Sequence, residues 1–164
     1  MSEPVPSPII ARPAGVWWHG AVRLSLGGIG LGLVGVFALR LHEHRQANTL
    51  APVFSEARIL VLNYQAEQGA WPRTGDLARP GPQFARYRTG PLSAALGRCA
   101  LPGRWTFAEV SPEGGPGILF EPTGQGWAFQ RTLAVVDGWM DDGLPASGDF
   151  RVRPDRAVLN LPGQ

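Results

Sequence analysis

Lysine is absent from this 164-residue chain, whose 15 basic residues are all arginine. That omission reads as codon usage before it reads as chemistry. Cysteine occurs once, at Cys99, which excludes an internal disulfide. Histidine occurs only at His19, His42 and His44, flanking one apolar run. No histidine follows to activate Cys99 or to join it on a metal, and Cys99 reads as a small apolar residue. A net charge of +2 is too small to point to nucleic acid. The Arg86-Tyr87-Arg88 cluster sits among glycine and proline and reads as a solvated loop. There is no Ser/His/Asp set and no phosphate loop. Asp141 and Asp142 are the remaining acid–base pair, and two adjacent aspartates in a DDG turn are a weak one. The expectation is a chain that is not an enzyme and has neither a nucleic-acid partner nor a small-molecule substrate.

What the chain does have is glycine and proline, 22 and 16 residues, which imply many turns and short elements. It also has the apolar run LSLGGIGLGLVGVFAL, from Leu24 to Leu39. This core falls slightly short of the ~20 residues that cross a bilayer. Extension from Val16 to Leu41 completes a span if Arg23 and Arg40 snorkel to the surface. Trp17 and Trp18 then fit an interfacial aromatic belt. The predicted organisation is a tail over 1–15, a transmembrane helix over 16–41 and a soluble domain over 42–164. A cleaved signal peptide fits less well, because MSEPVPSPIIARPAG is poorly basic and Leu39-Arg40-Leu41-His42 is a poor cleavage site. Arginine counts on the two sides nearly tie, so charge alone does not orient the helix. Gly28 and Gly32 form a small-xxx-small pair, and Gly27, Gly28, Gly32 and Gly35 are assigned to a helix-packing face. The partners expected are the lipid bilayer and other transmembrane subunits.

Beyond the run, Leu50, Phe54, Ala57, Val61 and Tyr64 recur at spacings of 4, 3, 4 and 3, one stripe of an α-helix. Pro52 removes a helical hydrogen bond and is expected to bend this helix. Gly69 is placed to end it and Pro72 blocks continuation. Residues 73–103 read mostly as loop, with a short helix from Pro91 to Leu96. Strand patterns follow at Arg104–Val110, Gly117–Glu121, Gly126–Arg131, Phe150–Arg153 and Ala157–Leu161, with a helical turn over Thr132–Met140. The fold class expected is α+β: a long helix packed on an antiparallel sheet of four or five strands.

An apolar helix that continues as an amphipathic one, ends at Tyr64-x-x-x-x-Gly69-x-Trp71-Pro72 and meets a small sheet resembles a type IV pilin or a type II secretion pseudopilin. The segment VDGWMDDGLPASGDFRVR, from Val136 to Arg153, adds to the likeness. Asp137, Asp141, Asp142, Gly143, Gly148 and Arg151 match a D-x-x-x-DDG-x-x-x-x-G-x-x-R pattern of minor pilins and pseudopilins. The resemblance implies a single-pass structural subunit of a bacterial inner membrane, N-terminus cytoplasmic and C-terminal domain periplasmic. It brings no cofactor except calcium, for which Asp141, Asp142 and Asp149 offer hard oxygen ligands. Their spacing is not that of an EF-hand, and Asp and Gly also make ordinary turns. One departure matters. After Gly15 come Val16, Trp17, Trp18, His19 and Gly20, with neither the aromatic nor the glutamate of a prepilin peptidase site. The reading is therefore an accessory subunit of an integral membrane complex, of photosynthetic or respiratory type. A minor pilin or pseudopilin of a filament is the alternative.

Overall fold

A computed structural model describes residues 15–87, 90–124 and 126–162, and side chains from Gly30 onward except those of Trp127 and Ala128. The side chains of Trp17, Trp18 and Arg23 and the surroundings of Gly27 and Gly28 therefore lie outside the described residues. The chain divides into two units, Met1–Leu39 and Arg40–Gln164.

Helix α1 runs from Gly15 to Gln68 and contains Pro52. It stops where Gly69 takes φ +67°, a left-handed conformation that glycine adopts without a Cβ clash. The Gly69 N–H donates to Gln65 O at 2.8 Å and closes the last turn. In the first unit Leu31, Leu33, Val34, Val36, Phe37 and Leu39 are all exposed, Leu31 by 77% and Phe37 by 70%. Among the described residues no helix is long and apolar enough to cross a membrane.

The second unit is α+β. After α1 come β1 (Gly75–Asp76), α2 (Pro82–Ala85), α3 (Gly90–Arg98), β2 (Gly103–Ala108), β3 (Gly117–Pro122), α4 (Trp127–Met140), β4 (Phe150–Val152) and β5 (Ala157–Asn160). The strands form one sheet in the order β1-β2-β3-β5-β4, every pair antiparallel. Registers Trp105↔Phe120↔Ala157 and Phe107↔Ile118↔Leu159 place these residues on one face, where they join the α1 stripe in one core. Leu50, Phe54, Ala57 and Val61 are fully buried in it, and Ala47, Val53 and Leu60 widen the stripe. Tyr64 is half-buried, with ring centroids 5.2 Å from Tyr87 and 6.1 Å from Phe84. Burying each large side chain contributes about 1.5–3 kcal/mol, so this helix–sheet contact is the main source of the domain's stability. The opposite sheet face carries the smaller cluster Ala108, Leu119 and Val158. Glu113, in the β2–β3 loop, pairs with Arg151 at 2.9 Å and Arg153 at 2.7 Å and ties that loop to β4.

Two expectations need correction. Gly126–Arg131 is not a strand, since Trp127–Met140 is one 14-residue helix. Trp127 and Phe129 alternate, but Phe129, Leu133 and Val136 are buried at helical spacings of 4 and 3, and the longer pattern decides. Residues 73–103 are more ordered than a loop. They contain β1, α2 and α3, with Phe84 and Leu92 buried in the core. This segment is fastened to α1 by Thr49, whose hydroxyl accepts the Ala100 N–H at 2.9 Å.

Candidate metal centre

The acidic segment takes its geometry from the end of α4. Asp137 and Asp141 are four residues apart, one helical turn, and so fall on one side of it. The Asp141 N–H still donates to Asp137 O at 2.8 Å, but the Asp141 backbone has left the helix, with φ −149°. Its carboxylate turns to the returning chain. Asp141 Oδ2 accepts the N–H of Asp149 and, at 2.9 Å, that of Phe150, the first residue of β4. Asp142 makes its own turn: Oδ1 accepts the Leu144 N–H and Oδ2 the Ser147 hydroxyl, each at 2.8 Å. These bonds, the Leu144 N–H foremost, hold the Asp142 carboxyl below the usual carboxylate range.

Asp137 differs from both. It is wholly buried, and neither carboxylate oxygen has a hydrogen-bond partner. Burial first, then the charges of Asp142 and Asp141, push its pKa up to about 6. A buried carboxylate without a partner is unfavourable as an anion. Oxygens of Asp137, Asp141 and Asp142 all lie within 4.8 Å of one another. The triad could hold a metal ion, and a bound cation would supply the counter-charge that Asp137 lacks.

This set differs from the expected Asp141, Asp142 and Asp149. Asp149 acts through its backbone, its N–H on Asp141 and its carbonyl accepting the Asn160 N–H at 2.7 Å. Its side chain is not in the triad. Reading Asp137–Asp141 as i, i+4 on a helix identifies the third carboxylate, but that spacing is informative only once α4 is known to extend to Met140. The turn chemistry of the DDG segment is present alongside: the carboxylates of Asp141 and Asp142 also hold the loop.

Gly148 keeps the loop tight. Its φ is +69°, and a Cβ there would run into the Asp141 carboxylate. Gly148→Ala therefore combines a left-handed strain of about 1–2 kcal/mol with displacement of Asp141. We expect a lower melting temperature by calorimetry; an unchanged melting temperature would show that the loop does not need this geometry.

The other proposed positions lie apart from the triad. Gly32 and Gly35 face open space, with nothing within 4 Å of a Cβ built there, and Arg40 is exposed. Cys99 is half-buried, its thiol pushed up by burial, which is unfavourable for a nucleophile. A hollow of about 280 Å³ lined by His42, Gln46, Leu101, Pro122 and Phe129, among others, includes no carboxylate or thiol. Compared with known proteins, the chain matches no family model, no curated protein and no solved structure.

Proposed function

We propose that this chain is a non-catalytic, single-pass, membrane-anchored structural subunit of pilin-like architecture, serving an integral membrane complex as an accessory subunit. The observation that carries the reading is the change of environment along α1. Residues from Leu31 to Leu41 present large apolar side chains to solvent, whereas Ala47, Leu50, Val53, Phe54, Ala57, Leu60 and Val61 are buried against an antiparallel sheet. A helix segment apolar on all sides is matched to lipid or to other helices. The apolar sequence begins at Leu24, so the Gly30–Leu41 stretch is the later part of a longer run. Among the described residues the domain brings together no acid–base or nucleophilic constellation outside the Asp triad. Calcium at that triad is part of the proposal, as the hard cation whose preference is for carboxylate oxygen.

The alternative, a minor pilin or pseudopilin in a filament, draws on the same helix-on-sheet layout. Membrane extraction tests the anchor. The full chain should stay in the membrane pellet under alkaline carbonate and leave it with mild detergent, together with partner subunits. Gly28→Leu/Gly32→Leu should release those partners without altering the domain's melting temperature. Release by carbonate alone would overturn the anchored reading. A mature N-terminus at Val16 would assign the chain to the filament instead.

A further inference from the structure

We propose that Trp139 seats the soluble domain in the headgroup layer of the bilayer, as an interfacial anchor; this rests on the membrane-anchored reading. Helix α4 is bound to the start of the domain's part of α1 at several points. Arg131 pairs with the buried Glu43 at 2.9 Å, the Thr132 hydroxyl meets Gln46 Oε1 at 3.0 Å, and the Trp139 ring lies 5.8 Å from the His44 ring. Trp139 is nevertheless 46% exposed, while Trp105, in the core, is 3% exposed. The exposed half of the indole is free to be covered by something apolar.

Its depth suggests what covers it. The apolar sequence ends at Leu41, and His44 is three residues on, about 5 Å of helix rise. A bilayer's headgroup layer is roughly 5–8 Å thick on each side of the hydrocarbon. With Leu41 at the hydrocarbon edge, His44 and Trp139 fall within that layer, where tryptophan is favoured because one end of the ring is apolar and the other can hydrogen-bond. Arg40 and Arg45 are exposed and suit lipid phosphates. Asp141 and Asp142 oppose them, since hydrogen bonding does not remove a carboxylate's charge and holds that of Asp142 more firmly, so the placement rests on the depth and the amphipathic character of the ring.

The test uses the full chain in phosphatidylglycerol/phosphatidylethanolamine vesicles. A Cys99→Ser/Trp139→Cys variant carries an environment-sensitive fluorophore at position 139. A Cys99→Ser/Ala66→Cys control carries it at the exposed far end of α1, about 33 Å of helix rise beyond His44. Nitroxide-bearing lipids should quench the label at 139 several-fold more than the label at 66. Aqueous iodide should do the reverse. A second variant keeps a ring: Trp139→Phe should reduce the fraction of native tryptophan fluorescence quenched by brominated lipid. Vesicle-bound protein with equal lipid quenching at both positions would overturn the inference and leave the anchor standing. Shielding of position 139 from both quenchers would place a protein neighbour there and also overturn it. A chain that fails to float with vesicles would overturn the anchored reading itself.

Discussion

Phe54→Ala is expected to destabilise the domain by about 3–5 kcal/mol, as for an aromatic side chain removed from a closed core. Phe54 is fully buried at the centre of the helix–sheet contact. Its ring meets Trp105 edge-on at 4.7 Å and Phe150 at 4.8 Å, so one side chain joins α1 to β2 and to the last hairpin. Deleting it would forfeit the transfer energy and leave a gap walled by rings that cannot close in without moving strands. Chemical denaturation of the soluble domain reads this directly. A loss under ~1 kcal/mol would mean that the site collapses freely and that the packing around α1 is looser than the ring geometry implies. Loss of this magnitude is a large part of the 5–15 kcal/mol typical of a domain, so Phe54→Leu, which keeps most of the volume but not the ring contacts, is the variant to use if alanine does not fold.

The helix and the sheet were legible in the residues because their periods are long and clean. Leu50, Phe54, Ala57 and Val61 mark a stripe that only a helix can present to one partner. Trp105 and Phe107 alternate along β2, whereas β3 reads Ile118-Leu119-Phe120, the continuous apolar run of a strand buried on both faces. Gly126–Arg131 was misleading because a period-2 fragment of two aromatics lies inside a period-3.6 segment, and six residues are too few to separate the two. The loop region hid β1 and α2 because both are short; they exist through tertiary contacts such as Gly75↔Phe107 and the burial of Phe84. The acidic site was half legible. The Asp and Gly pattern marked the right segment, but whether Asp137 or Asp149 completes the cluster depends on where α4 stops. The structure gives Asp149's backbone to the loop and Asp137's side chain to the triad.

Asp137→Asn should change how stability depends on pH, and in a direction opposite to ordinary acid denaturation. The folded-state pKa of Asp137 is raised to about 6 from an ordinary value of 3.8. Between those two values the folded protein binds more protons than the unfolded chain, so stability falls as pH rises. The penalty is absent below about pH 4, grows to about pH 6 and is constant above, reaching on the order of 3 kcal/mol. Glu113 titrates the other way: hydrogen bonding to Arg153 first, with Arg151 adding to it, draws it from 4.5 to about 2. Its contribution is lost only as pH falls from about 4.5 through 2, so the window from pH 5 to 6 belongs to Asp137. Asparagine removes the buried charge and leaves an amide as unpartnered as the protonated carboxyl it replaces. Without calcium, the variant should therefore be about as stable as wild type at pH 4, more stable at pH 7, and free of the downward slope between pH 5 and 6. Calcium should raise wild-type stability at pH 7 by neutralising the triad, through preferential binding to the folded state, and should do much less for Asp137→Asn. Denaturation midpoints at several pH values, with calcium and with chelator, test both claims. Parallel pH profiles for the two proteins would show that Asp137 has a partner or a water path that satisfies its charge. Equal calcium responses would place the ion elsewhere.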